Sequence, residues 1–208
     1  MQFDEVSYEN EDFSGVIMEM EDISKKKFTG CNFRRADFSD VSVIYGCTFD
    51  TCDFAGARLN GADIRHSAFL SCQFKSASFF GTRLESCKMT GSDLTNTECA
   101  LLQIEGGDWS YTNLRKLSFQ KQNLCGIRFF GADLSGCCFN QCKMNGCEFD
   151  EAIVHDTSFY KSDIRGATFE RVNLFEVSFR QAKLDIGQCV TIAEHLTEGK
   201  YSPEEKEQ

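Results

Sequence analysis

Residues 49–84 read FDTCDFAGARLNGADIRHSAFLSCQFKSASFFGTRL, and every fifth position is apolar: Phe49, Phe54, Leu59, Ile64, Phe69, Phe74, Phe79 and Leu84. The step continues through Met89, Leu94, Cys99, Ile104, Trp109 and Leu114 to Phe169, Leu174, Phe179 and Leu184 without a polar residue. An earlier phase, Phe3, Tyr8, Phe13, Met18, Ile23, Phe28, Phe33, Phe38 and Val43, is offset from it by one extra residue in the stretch 43–46. A period of five matches neither the 3.6 of a helix nor the 2.0 of a strand. One-sided burial at this spacing requires the chain to turn at each repeat.

The flanking positions are also patterned. Two residues before each central apolar position stands a small or β-branched residue, as in Cys52, Ala57, Ala62, Ser67, Cys72, Ala77 and Thr82. Two residues after it glycine recurs, as in Gly56, Gly61, Gly81, Gly91, Gly126 and Gly131. In the triplets Ala36-Asp37-Phe38, Ala62-Asp63-Ile64 and Ala132-Asp133-Leu134 the sequence resembles the pentapeptide-repeat family. That resemblance covers residues 3–184 and implies an all-β fold, a right-handed quadrilateral β-helix in which four repeats make one coil. About nine coils stacked at the strand spacing make a rod about 43 Å long. Residues twenty apart then share a face, giving the ladders Phe49, Phe69, Met89, Trp109, Phe129 and Leu59, Phe79, Cys99, Phe119, Phe139.

One stretch departs from the pattern. Trp109 is large for its place and follows Gly107, while Cys99 is small and precedes a large Leu102, so the misfits compensate in volume. The expectation is a changed coil shape over residues 97–127 without a break. After Leu184 the period stops, and Ile186, Val190, Ala193 and Leu196 fall at helical spacing behind an Asp185 cap paired with Gln188. Gly199 is the expected stop. The domain reading is a capping coil or hairpin over 1–24, the β-helix over 25–184, a C-terminal α-helix over 185–198 and a solvated tail over 199–208.

Composition bounds the function. The chain has 208 residues, one Pro, twenty Phe, twelve Cys and a net charge of −10. Residues 1–24 hold eight acids and no base, and residues 194–208 hold five acids and two bases. Removing these from totals of 32 acids and 22 bases leaves 19 and 20 in residues 25–193, a shaft with a net charge of +1. This argues against direct nucleic-acid binding, which rests on clustered cations. No apolar run reaches the length of a membrane span, and the acidic start differs from a signal peptide. A cytoplasmic protein with reduced thiols is expected.

Eight cysteines, Cys31, Cys47, Cys52, Cys72, Cys87, Cys137, Cys142 and Cys147, occupy the small-residue position interchangeably with Ala, Ser and Thr. Packing explains them, and Cys137, Cys142 and Cys147 would lie on different walls, too far apart for one zinc ion. His66, His155 and His195 belong to no recognisable catalytic motif, so neither an enzyme nor a cofactor is expected. Two acidic groups are candidates for partner binding: Glu148, Asp150, Glu151 and Glu170, with Arg171 close by, and Glu85, Glu98, Glu105 and Asp108. Outward aromatics Phe80 and Tyr160 share a face, and Phe130 and Phe175 also point outward.

The quinolone-resistance members that this chain resembles bind DNA gyrase or topoisomerase IV by mimicking duplex DNA, and they dimerise through a C-terminal helix. The resemblance therefore implies a DNA mimic that protects a type II topoisomerase, with Ile186, Val190, Ala193 and Leu196 at a homodimer seam. Some members carry two long loops, which this chain lacks. The alternative expectation is an interaction scaffold with no topoisomerase role.

Overall fold

The computed structural model describes residues 3–19, 22–200 and 202. Within them lie β1 (Ser7–Glu9), β2 (Asp22–Ser24), β3 (Lys27–Thr29), β4 (Val43–Tyr45), β5 (Thr48–Asp50), β6 (Asp63–Arg65), β7 (Ala68–Leu70), β8 (Arg83–Glu85), β9 (Gln103–Glu105) and α1 (Ile186–Thr197). All strand pairs are parallel, in the orders β1-β3-β5-β7 and β2-β4-β6-β8-β9. Isolated parallel bridges extend both ladders and form two more, so the chain winds as a square β-helix with four walls. On wall 1 the rungs run Ser7, Lys27, Thr48, Ala68, Lys88, Asp108, Arg128, Glu148 and Thr168, nine coils in all. Walls 2, 3 and 4 follow it in chain order, centred on Phe54, Leu59 and Ile64 in the third coil.

Each position of the repeat has a physical task. The central residue points inward, and its N–H donates to the carbonyl 19 residues ahead, as from Phe54 to Gln73 (2.7 Å) and from Phe129 to Glu148 (2.7 Å). This bond sets the coil spacing, and inward rings stack at the same interval. The centroids of Phe49 and Phe69 are 4.8 Å apart at 4° between planes, and those of Phe149 and Phe169 are 5.0 Å apart. Each buried Phe contributes about 2–3 kcal/mol of transfer free energy. The residue two before the centre is small because it lies against the preceding coil. Where it carries a donor, that donor usually reaches the carbonyl of a central residue there, as from Thr82 Oγ1 to Leu59 (2.7 Å) and Cys147 Sγ to Leu124 (2.9 Å), whereas Thr97 and Thr112 donate within their own coil to Leu94 and Trp109.

The Asp or Asn just before the centre caps the turn that follows. Asp53 accepts from the Ala55 N–H (2.8 Å), Asp93 from Thr95 (2.8 Å) and Asp133 from Ser135 (3.0 Å). The residue two after the centre has a positive φ, as at Gly61 (+71°) and at Lys121 (+64°), which accounts for the recurring glycine.

Three sequence expectations are corrected. The extra residue lies at Val41–Ser42, just before β4, rather than within 43–46. Ile44 is the buried central residue there and Val43 is half-buried. The helix ends with Glu198 in the left-handed conformation, one residue before Gly199. The third correction concerns residues 97–127. Trp109 is fully buried beside Gly107, as the volume argument requires, but the ladder does break on two walls. Walls 1 and 2 stay paired through Lys88, Asp108 and Arg128 and through Asp93, Asn113 and Asp133. On walls 3 and 4, Glu98 does not pair with Ser118, nor Gln103 with Asn123.

The cause lies in the small-residue position. It is filled by Leu117 on wall 3 and by Leu102 and Gln122 on wall 4, which are too large to stack at strand spacing, whereas Ile127 on wall 1 lies over Gly107 and that wall stays paired. Wall 2 also lacks its last rung, Ile153 to Asn173, where His195 Nε2 accepts from the Leu174 N–H (3.1 Å).

The first coil pairs in parallel through β1 and β3, with Phe3, Tyr8 and Phe13 at its end of the core. Glu11 there is exposed, and Glu21 lies outside the described residues, as does most of the 199–208 segment. At the other end Asp185 and Gln188 form a capping box for α1. Gln188 Nε2 also donates to the carbonyls of Ile164 (2.5 Å) and Ala167 (2.9 Å), and Asp185 accepts from the Gly166 N–H (2.7 Å). The helix is thus tied across the last open edge.

A Cβ at position 107 would lie 2.2 Å from the Cys87 carbonyl oxygen, whereas one at position 61 meets nothing within 4 Å. Gly107→Ala is expected to destabilise by more than about 3 kcal/mol and Gly61→Ala by about 1 kcal/mol, measured by urea denaturation.

Candidate partner-binding faces

The eight cysteines in the small-residue position are all buried, and only Cys125 and Cys189 are exposed. Burial pushes the thiols of Cys87 and Cys142 up to about 11 and those of Cys137 and Cys147 up to about 12. Cys137, Cys142 and Cys147 donate to the carbonyls of Leu114 (2.9 Å), Phe119 (2.8 Å) and Leu124 (2.9 Å), each on a different wall. Cys52 and Cys72 stack on adjacent coils, and the hydrogen bond between the two thiols, together with burial, holds Cys72 well above the ordinary thiol range. Among the described residues no group of three or more His, Cys, Asp or Glu is placed to hold a metal ion. His66 stacks edge-on with Tyr45, His155 pairs with Asp156 and Glu176, and His195 docks the helix.

The first acidic group is brought together. Glu148, Asp150, Glu151 and Glu170 all lie on wall 1 or the turn that follows it, in the last two coils. Asp150 accepts from the Glu170 N–H (2.7 Å), Glu148 pairs with Arg128 (2.9 Å) and Glu151 with Arg171 (2.6 Å). The second group is dispersed over three walls. Glu85 and Glu105 sit on wall 4, where Arg83 holds both (3.0 and 2.8 Å) and its hydrogen bond keeps the Glu105 carboxyl below the usual range. Glu98 is on wall 3 and Asp108 on wall 1.

Sorting the charges by wall uncovers an asymmetry that the running total hides. Residues 118–183 carry eight acids and eight bases. Counting each turn with the wall it follows, walls 1 and 2 hold Asp133, Glu148, Asp150, Glu151, Asp156, Glu170 and Glu176 against Arg128 and Arg171, a net of −5. Walls 3 and 4 hold Lys121, Lys143, Lys161, Arg165, Arg180 and Lys183 against Asp163 alone, a net of +5. Asp133, Asp156 and Glu176 were not among the candidates read from the sequence, and their position modulo twenty is the signal that finds them.

The outward aromatics do not form one patch. Phe80 and Tyr160 do share wall 3, but four coils apart with Ala100, Gln120 and Asn140 between them. Phe130 lies under Arg128 (4.7 Å) and beside Tyr111, and Phe175 packs on His195 (4.8 Å). On α1, Gln188 and Ile192 face the rod while Ile186 (84% exposed), Val190 and Ala193 line an open apolar cleft of about 480 Å³ with Leu184 and Cys189. Leu196 is exposed beside it.

Two profiles of one family match the sequence, a pentapeptide repeat region over residues 21–99 and pentapeptide repeats over 110–146 and 127–166. The chain is a pentapeptide-repeat protein. Among solved structures it is similar to trypsin-treated QnrB1, a plasmid-mediated fluoroquinolone resistance protein, at 22% identity and a TM-score of 0.79, covering 92% of this chain and 97% of that one. Full-length QnrB1 matches at 22% identity and a TM-score of 0.74, covering 91% and 99%. HetL, a pentapeptide-repeat protein involved in heterocyst differentiation regulation in the cyanobacterium Nostoc, matches at 14% identity and a TM-score of 0.55, covering 86% and 90%. No curated protein sequence matches this pentapeptide-repeat protein. No helix among its described residues is long and apolar enough to cross a membrane.

The raised thiols give a pH dependence with a definite sign. The folded protein retains protons that the unfolded chain releases near the ordinary thiol value of 9.0, so the stability they confer is full below pH 9 and lost as pH rises towards 12. The denaturation midpoint is expected to fall between pH 9 and 11, and to fall less in a variant with Cys87, Cys137, Cys142 and Cys147 changed to Ser. At pH 8 the folded protein is expected to present two rapidly reacting thiols, Cys125 and Cys189, to Ellman's reagent.

Proposed function

We propose that this protein binds a type II topoisomerase, DNA gyrase or topoisomerase IV, by presenting walls 1 and 2 as a mimic of duplex DNA, and that it protects the enzyme from quinolones. The observation that carries the reading is the net −5 on those two walls over residues 118–183 of a loopless rod. Carboxylates on successive coils offer a basic saddle a row of anions at intervals of about 5 Å. Similarity of fold to a fluoroquinolone resistance protein supports the choice of partner.

The apolar cleft formed by Ile186, Val190 and Ala193, with Leu196 beside it, is the proposed homodimer seam. Two rods joined there would extend about 90 Å, roughly two and a half turns of duplex.

The test is gyrase supercoiling with ciprofloxacin present, titrating in the protein. Restored supercoiling at up to equimolar protein is expected, competed by duplex DNA and weakened by salt. Changing Glu148, Asp150 and Glu151 to Lys is expected to raise the half-restoring concentration at least about tenfold. Val190→Asp with Leu196→Asp is expected to give a monomer by sedimentation and lose protection. No effect at any concentration overturns the topoisomerase reading in favour of an interaction scaffold.

A further inference from the structure

The break in walls 3 and 4 opens a cleft in the shaft. One part, about 580 Å³, is lined among others by Thr97, Leu101, Lys116, Gln120 and Gln122. The other, about 510 Å³, is lined among others by Gln103, Glu105, Lys121, Gln122 and Asn123. Gln103 and Gln122 line both, so the two parts join round the corner between the walls. These volumes are those of ligand clefts.

The lips of the cleft are strand edges. Elsewhere the N–H groups at a central residue and two positions after it donate to the next coil, as from Phe79 to Glu98 (2.8 Å) and Gly81 to Ala100 (3.0 Å). The corresponding N–H groups of Cys99, Leu101, Ile104 and Gly106 have no acceptor, and those of Ser118 and Asn123 have none on the other lip. Facing them are the unpaired carbonyls of Thr97, Leu102, Ser118, Gln120, Asn123 and Cys125. A Gln122 side-chain oxygen, Oε1, is also enclosed without a hydrogen-bond partner. Leu102 and Leu117, both buried, act as wedges that keep the lips from closing.

A ligand for such edges must offer alternating donors and acceptors at strand spacing, which is the chemistry of an extended peptide. The charges choose its sign. Lys116 and Lys121 line the cleft without an ion-pair partner, and on wall 4 of the next coil Lys143 is likewise unpaired, whereas Glu105 is already held by Arg83 (2.8 Å). We propose that the cleft between Thr97–Gly106 and Ser118–Cys125 is a docking site for an extended acidic peptide segment of a partner protein. The segment pairs its backbone with the open lips and lays its carboxylates against Lys116, Lys121 and Lys143.

The probe is a capped peptide of alternating Glu and Val, about eight residues long so as to span the lips of two walls. The readout is residue-resolved amide hydrogen exchange. In the free protein the amides of Cys99, Leu101, Ile104, Gly106, Ser118 and Asn123 are expected to exchange at least about 100-fold faster than those of Phe79, Gly81 and Phe129. The peptide is expected to slow them. Backbone N-methylation of the peptide should abolish the effect, and Lys121→Glu with Lys143→Glu should weaken binding about tenfold. A Leu102→Ala, Leu117→Ala, Gln122→Ala variant is expected to close the ladder and lose both the fast exchange and the binding. The slow amides of walls 1 and 2 report whether that variant is folded. Slow exchange of the six amides in the free protein, no slowing at millimolar peptide, or equal binding of the Lys-for-Glu peptide each overturns the proposal.

Discussion

The backbone hydrogen bond from a central N–H to a carbonyl of the next coil, 19 residues ahead in most repeats and 20 at Phe33 and Phe38, is the interaction on which the rest of the molecule depends. It fixes one coil per strand spacing, and side-chain identities then follow from what fits within that spacing. Flat Phe rings stack along the ladders because a ring is thin enough for the interval. The position next to the preceding coil admits Ala, Ser, Thr and Cys, and the hydroxyl or thiol adds a bond to a central carbonyl there. Cysteine is frequent because that position is small, apolar and close to an acceptor, which accounts for eight of the twelve without invoking redox or metal chemistry.

The same constraint governs charge. A residue and its neighbour twenty positions on are brought within about 5 Å, so like charges placed in register repel unless a cation intervenes. The chain uses both arrangements. In the first half of wall 4, Arg65 and Arg83 interleave with Asp63, Glu85 and Glu105 to make a compensated network. In the last coils of wall 1, Glu148, Asp150, Glu151 and Glu170 have only Arg128 and Arg171 to balance them. Tolerating that concentration of charge has a cost in self-repulsion, which the opposite wall does nothing to offset locally. A partner that supplies cations would relieve it.

Much of this was legible in the sequence because the period is exact. The inward residues outside 43–46, the role of the small position and the Asp185 cap with Gln188 follow from spacing, and the fold class follows from the family resemblance that the repeat carries. What spacing could not give was the outcome of competing volumes. Trp109 against Gly107 and Cys99 against Leu102 balance when taken in pairs, but the small-residue position is overfilled at Leu102, Leu117 and Gln122, all on the two walls that open, while Ile127 is accommodated over Gly107. Likewise a net charge of +1 for residues 25–193 conceals a difference of ten charges between opposite sides over residues 118–183. Acidic residues near in sequence, such as Glu98, Glu105 and Asp108, fall on different walls, while Glu151 and Glu170 share one.

The two ends of the rod solve the problem of an open edge differently, and the difference bears on assembly. At the first coil Phe3, Tyr8 and Phe13 close the core with edge-on rings, and exposed acids discourage stacking of a second copy. At the last coil α1 uses its polar side chains inward: Gln188 satisfies the carbonyls of Ile164 and Ala167, and His195 accepts the Leu174 N–H. That inversion leaves Ile186 and Val190 on the outer face, away from the core they would fill in an ordinary amphipathic helix. A helix needed only to seal backbone groups would gain solubility from polar residues on that face. Apolar residues there are what the proposed homodimer seam requires, and in that proposal the acids at the other end discourage association through it.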